Sequence, residues 1–117
     1  MSAGPRESPD GRLFALAAMH SRPGAARLPD DALAADLAAL AGWERAGDTI
    51  RKTFRFADYH ATIAFVNQMA AIANEEDHHP DLSVHYDHCV VTYSTHSAGG
   101  VTLNDCICAA KVERLAA

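Results

Sequence analysis

Closely spaced histidines are the residues of this sequence most able to carry chemistry. His78 and His79 are adjacent and followed by Pro80, and His96 comes less than twenty residues further along the chain. Imidazoles change protonation state near neutral pH, so they act as general acids and bases as well as metal ligands. Residue type alone leaves three interpretations open: surface or helix-capping histidines, a metal site, or proton transfer on a small substrate.

A metal site would draw on side chains with suitable nitrogen and oxygen donors, namely Asp77, His78, His79, His85, His88 and His96. Adjacent residues rarely point at one ion, however, and the spacing of these residues matches no zinc motif. Proton transfer needs imidazoles on two sides of a small substrate and requires no metal.

A helix and a strand are predicted to position these histidines. Asp58 is a good N-cap for a helix with apolar residues at helical spacing, and Pro80 disfavours helical geometry at His79. We therefore expect the helix to end near Asp77 or His78. A strand over residues 89–95, with alternating apolar residues, leads to His96 from another direction.

The remaining elements follow from apolar periodicity and turn residues. They are a helix after Pro29 that ends at Gly42, a hairpin of residues 43–46 and 49–56, a strand over 83–86, and a last helix from a capping-box-like Thr102-x-x-Asp105 to about Leu115. The order helix, strand, strand, helix, strand, strand, helix predicts an α+β fold, a four-stranded antiparallel sheet with helices packed on one face.

The last helix has two apolar rows, one through Ile107 and one through Val112. A stripe this wide predicts burial on two sides, one of them against a partner subunit.

Composition limits the class of protein. A chain of 117 residues is one domain, with residues 28–117 expected to form it and residues 1–27, rich in Pro, Gly, Ala and Arg, a flexible N-terminal leader. The net charge of −5 argues against direct nucleic-acid binding, and no apolar run approaches the roughly eighteen residues of a membrane span. Three cysteines without a Cys-x-x-Cys motif indicate a reducing compartment, the cytoplasm.

The histidines also belong to a longer spaced pattern. His78-His79-Pro80 is followed after five residues by Tyr86, after nine more by His96, and after eight more by Asp105. This pattern resembles the signature of the pterin-4a-carbinolamine dehydratases, which are also known as dimerisation cofactors of a homeodomain transcription factor. The resemblance extends over about residues 28–115, with further support from Gly42-Trp43, Phe54-Arg55-Phe56-Ala57-Asp58, Phe65 and Ser94-Thr95-His96-x-x-Gly99-Gly100.

The resemblance implies an activity and a set of site residues. The expected reaction is dehydration of 4a-hydroxytetrahydrobiopterin to the quinonoid dihydropterin, which recycles the cofactor of aromatic amino-acid hydroxylases. It would proceed by histidine acid/base catalysis without a cofactor or metal, in a homodimer or homotetramer. By position, the catalytic residues would be His78, His79 and His96, and the substrate-binding residues Asp77, Thr95, Asp105 and Asn74.

Asn74 departs from the family pattern, which commonly has an acidic residue at this position. Asn can hydrogen-bond a histidine or the pterin, but it carries no charge and takes no proton. The alternative function is therefore a weakly active or inactive assembly factor or binding module on the same fold, as some relatives are Rubisco assembly factors or partners of transcription factors.

Overall fold

A four-stranded antiparallel sheet forms the centre of the fold in the computed structural model, which describes residues 9–116. In chain order the elements are α1 (Pro9–Ala18), α2 (Asp30–Ala39), β1 (Glu44–Ala46), β2 (Thr49–Arg55), α3 (Tyr59–Glu76), β3 (Asp81–Val84), β4 (His88–Tyr93), a 3₁₀ turn (His96–Ala98) and α4 (Leu103–Ala116). The strand order is β1-β2-β4-β3. This arrangement confirms the predicted α+β fold.

The sheet buries one face of its two central strands. Ile50 of β2 pairs with Tyr93 of β4, and Phe54 pairs with Cys89. These side chains are buried together with Val91, as the alternation in the sequence predicted. Within residues 9–116 no helix is long and apolar enough to cross a membrane.

Local signals place the two ends of α3 as expected. The Asp58 carboxylate accepts a hydrogen bond from the Ala61 amide at 2.8 Å, as an N-cap residue does. The helix ends at Glu76, and Asp77 adopts a left-handed backbone conformation with φ of 50°. That conformation turns the chain directly before His78 and His79.

The strands after α3 differ from the prediction at their ends. The first, expected over 83–86, is Asp81–Val84, because the His85 amide bonds the His88 carbonyl at 2.8 Å and starts the turn there. The second ends at Tyr93, since the Thr95 amide bonds the Gly100 carbonyl at 3.0 Å in a separate bridge. His96 consequently opens a 3₁₀ turn outside the sheet.

The expected flexible leader is packed over the part that the structure describes. Leu16 of α1 is fully buried, Arg12 pairs with Asp36 of α2 at 2.8 Å, and the Lys111 ammonium of α4 donates to the Ala17 carbonyl at 2.8 Å. A ten-residue helix is unstable alone, so this packing is what holds it. Residues 1–8 of the predicted leader lie outside the described residues.

This packing also changes the interpretation of α4. The helix is buried almost all round, with Cys106, Ile107, Cys108, Ala109, Ala110 and Val112 at 1% exposure or less. One side packs against α3 and the other against α1 of the same chain. The wide apolar stripe therefore does not require the partner subunit that the sequence suggested.

Candidate active site

His78 and Asp105 form the central contact of the candidate site. The Nε2 atom of His78 lies 2.5 Å from Oδ1 of Asp105, a fully buried carboxylate. The other carboxylate oxygen, Oδ2, accepts hydrogen bonds from the Thr95 hydroxyl and the Thr102 amide, both at 2.8 Å. Both oxygens are thus bound, which offsets the cost of burying the charge.

The start of α4 explains the position of Asp105. Thr102 precedes the helix, and the Asp105 carboxylate reaches back to its amide, which is one half of the predicted capping box. The Thr102 hydroxyl instead lies 2.9 Å from the Thr95 hydroxyl, which links the helix start to the segment that follows β4. The first turn of a helix also favours negative charge.

The imidazole of His78 is held in a defined orientation. Its ring stacks on the ring of Tyr93, with centroids 5.9 Å apart and planes at 7°. Burial raises the pKa of Tyr93 far above its usual value, with smaller contributions from Cys108 and Asp105, so the phenol stays neutral. Nε2 of His78 is occupied by Asp105, whereas no hydrogen bond to Nδ1 occurs within residues 9–116.

A cavity of about 390 Å³ lies beside this histidine. Its walls include Asp77, His78, Thr95, Ser97 and Asn104, together with residues 21–25. This volume falls in the range of about 300 to 1,000 Å³ that is typical of small-molecule sites.

The other predicted site residues do not line this cavity. His79 is exposed and lines a separate cavity of about 160 Å³ together with Asn74, Pro80 and Leu82. His96 is exposed at the start of the 3₁₀ turn, between the cavity-lining residues Thr95 and Ser97. The structure thus brings Asp77, His78, Thr95 and Asp105 together and leaves His79, Asn74 and His96 at separate positions.

Comparison with known proteins shows which family this chain belongs to. A family model described as Pterin 4 alpha carbinolamine dehydratase matches residues 26–115. The chain belongs to this family. The match confirms the resemblance identified from the histidine signature.

Individual members of the family are close in sequence and structure. A Chromobacterium violaceum protein, provisionally named pterin-4-alpha-carbinolamine dehydratase, is 59% identical over 92 residues, which cover 79% of this chain and 85% of that protein. A Xanthomonas campestris pv. campestris protein with the same provisional name is 58% identical over 91 residues, covering 76% of this chain and 77% of that protein.

Two solved structures share the fold of this family. The crystal structure of a transcriptional coactivator/pterin dehydratase from Brucella melitensis has a TM-score of 0.75 and 34% identity, covering 78% of this chain and 99% of that one. A pterin dehydratase-like protein identified as a RuBisCO assembly factor in the alpha-carboxysome has a TM-score of 0.53 and 25% identity, covering 63% of this chain and 86% of that one.

Two polar residues beside the dehydratase-family signature were not among the predicted site residues. Glu76 is buried at the end of α3, and Asn104 lies next to Asp105 with 9% exposure. Burial would raise the pKa of Glu76, but hydrogen bonds from the Ser21 amide and His20, together with the charge of Lys111, lower it below its usual value. The one available sequence signal for Glu76 was that a glutamate occupies a position on the apolar face of α3.

The histidines of the signature do not gather as a metal site. Within residues 9–116, the sole group of three possible ligand side chains with donor atoms within 4.8 Å of one another is His20, Glu75 and Glu76. The Lys111 ammonium lies 3.7 Å from the Glu76 carboxylate oxygen that also contacts His20. The Glu76 carboxylate is therefore already paired with the Lys111 ammonium.

Proposed function

We propose that this chain dehydrates a 4a-hydroxytetrahydropterin to the quinonoid dihydropterin and water. The observation that carries the proposal is the His78–Asp105 pair beside a cavity of about 390 Å³, with one ring nitrogen of His78 unused. In this reaction the C4a–O bond breaks, the hydroxyl leaves as water after protonation, and loss of the N5 proton forms the C4a=N5 double bond. The reaction would recycle the cofactor of aromatic amino-acid hydroxylases.

The geometry suits His78 to the role of general base. A buried carboxylate on one ring nitrogen stabilises the imidazolium that forms when the other nitrogen accepts a proton. His78 would take the proton from N5, and the acid that protonates the leaving hydroxyl would be His79 or His96, both of which are exposed. No metal or cofactor takes part in this scheme.

The proposed binding residues divide by position. Asp77 and Thr95 line the cavity and would contact the pterin, while Asn74 would do so from the side of His79. Asp105 makes all its hydrogen bonds to protein groups and would act through His78 as a positioning residue.

A spectrophotometric assay of the disappearance of the 4a-hydroxy intermediate tests the proposal. We expect wild type to exceed the spontaneous rate and each of His78→Ala, His79→Ala and His96→Ala to fall by roughly 10² to 10⁴, the usual contribution of a general acid or base. His60→Ala is the matched control, since His60 is exposed on α3 and has no predicted role. A wild-type rate equal to the spontaneous one would contradict the proposal.

The same assay on Asn74→Glu examines the departure from the family pattern. A carboxylate there would favour the protonated form of a nearby histidine. An increased rate is expected if the missing charge limits the reaction, and an unchanged rate would show that Asn74 is adequate.

The second candidate function is that of an assembly factor or binding module with a protein partner. The likeness to the RuBisCO assembly factor and the amide at Asn74 favour it. Purification of the chain with its bound proteins from source cells discriminates the two, as does the presence of either aromatic hydroxylase genes or carboxysome genes beside its own gene.

We also propose that the protein is a cytoplasmic homodimer or homotetramer. The three cysteines, all free and buried, are compatible with a reducing compartment. Strand β3 lies at an edge of the sheet, all four of its residues are exposed, and they include Leu82 and Val84. A free apolar edge of this kind pairs readily with a second chain.

A further inference from the structure

The segment that follows α1 is fastened to the end of α3. The Ser21 amide donates to the Glu76 carboxylate at 2.7 Å, and the Ser21 hydroxyl donates to the Glu76 carbonyl. His20 lies 2.8 Å from the second carboxylate oxygen of the same side chain. Because Glu76 comes two residues before His78, this attachment places the segment beside the catalytic histidine.

A second attachment fixes the backbone of Arg22. Its amide donates to the Asn104 side-chain oxygen at 3.0 Å, and the Asn104 side-chain nitrogen donates to its carbonyl at 2.7 Å. Two bonds to the same residue determine its orientation as well as its position. Asn104 adjoins Asp105, so Arg22 is held between the elements that carry the two members of the His78–Asp105 pair.

The Arg22 side chain itself is unused by the fold. It is exposed, and its guanidinium makes no hydrogen bond or ion pair in the part of the chain that the structure describes. Residue Arg22 lines the cavity of about 390 Å³ beside His78 and a neighbouring cavity of about 550 Å³ formed with the start of α4. A guanidinium offers five donors and no acceptor, so its partner must be an oxygen-rich or anionic group.

The position of the reacting atoms indicates which part of the substrate reaches it. N5 of the pterin is bonded to both C4a and C6, so a substituent on C6 lies next to the atoms that His78 must address. With the ring beside His78 in the interior, the substituent would extend toward the exposed Arg22. Residue 22 precedes the family match, which begins at residue 26, so this wall comes from sequence outside that match.

We propose that Arg22 is a specificity-determining residue that binds hydroxyl oxygens on the C6 substituent of the pterin, with Glu76 and Asn104 as positioning residues for its segment. The inference rests on the proposed function. It assigns to Arg22 the recognition of the hydroxylated side chain that biopterin carries on C6.

Equilibrium binding of two stable pterins to the full chain, measured by titration calorimetry, tests the inference. The probes are 7,8-dihydrobiopterin, which has a dihydroxypropyl group on C6, and 6-methyl-7,8-dihydropterin, which has none. We expect Arg22→Gln to weaken dihydrobiopterin binding by about ten- to a hundredfold, the value of a hydrogen bond to a charged group, and to leave the methyl analogue unchanged. Glu76→Gln should likewise weaken the binding of dihydrobiopterin relative to the binding of the methyl analogue. Arg55→Gln, at an exposed position on β2, is the charge-matched control and should change neither.

The ratio of affinities separates recognition from a structural effect, because a misfolded site would lose both pterins together. Equal weakening of both by Arg22→Gln, or no effect on either, overturns the inference while leaving the dehydratase proposal intact. Failure of wild type to bind either pterin overturns both.

Discussion

At the scale of single residues, the site depends on two buried carboxylates that are each fully hydrogen-bonded. Asp105 contacts His78, Thr95 and the Thr102 amide, while Glu76 contacts Ser21, His20 and Lys111. A buried carboxylate is tolerated when the fold supplies hydrogen-bond donors to its oxygen atoms. The first carboxylate orients the imidazole of His78, and the second attaches the segment of residues 20–22 that lines the cavity.

Glu76 gives the protein a specific dependence on pH. Its folded pKa lies below the usual 4.5, so its contribution to stability is fully present above that value and is lost as the pH falls through the folded pKa. We expect wild type to be more stable than Glu76→Gln at pH 6, and the difference in unfolding free energy to shrink on acidification below pH 4.5. Chemical denaturation across this range measures it.

Asp81→Asn is the control for this comparison, because it removes a carboxylate at an exposed position on β3, away from Glu76. The groups that face Glu76 are His20, Lys111, the Ser21 amide and the exposed Glu75 carboxylate, and all remain in both variants. A difference between wild type and Glu76→Gln that is independent of pH would contradict the assignment of the charge.

At the scale of elements, α1 completes the burial of α4. The amphipathic run from Leu13 to Met19 has too few residues to form a stable helix alone, but α4 offers it a second apolar row. Leu16 is fully buried in this contact, whereas Phe14 on the same helix is 57% exposed. Substitution of Leu16 therefore tests the packing of α1, whereas substitution of Phe14 tests the effect of a side-chain change on the exposed face of the same helix.

Leu16→Ala should lower the unfolding free energy by roughly 2–5 kcal/mol, as large-to-small core substitutions do. Phe14→Ala should cost less than about 1 kcal/mol, because Phe14 loses mainly its contact with the Arg114 guanidinium, 4.8 Å from its ring. Urea titrations of both variants make the comparison. Equal effects, or none for Leu16→Ala, would show that the segment is loosely held after all.

At the scale of the whole molecule, the free edge at β3 is the feature that bears on assembly. The strand pairs with β4 on one side, and Leu82 and Val84 lie in register with buried Val91 and Cys89 yet are themselves 38% and 39% exposed. A second chain that paired there would extend the sheet and cover these side chains.

Sedimentation equilibrium should therefore give two or four times the 12.5 kDa of the chain. Val84→Lys is expected to lower that mass, because a charge on an edge strand opposes strand pairing. Thr53→Lys adds the same charge on the outer face of central strand β2 and should leave the mass unchanged. A single-chain mass for wild type at every concentration would contradict the assembly.

The features determined by the sequence itself are those set by near neighbours. Pro80 and the left-handed Asp77 end α3, Asp58 caps its start, and the alternation of Cys89, Val91 and Tyr93 defines the buried face of β4. The spacing of the histidine signature also identified the family correctly. Each of these follows from backbone sterics or side-chain periodicity over a few residues.

Tertiary structure alone decided which members of the signature meet. His78 and Asp105, 27 residues apart, come within 2.5 Å, while the adjacent His79 lines a different cavity. Ser21 contacts Glu76, which lies 55 residues further along the chain, and no local sequence pattern predicted this contact. Such contacts depend on how helices and sheet pack, since a helix end sends neighbouring side chains in different directions and only packing selects the one that faces a partner.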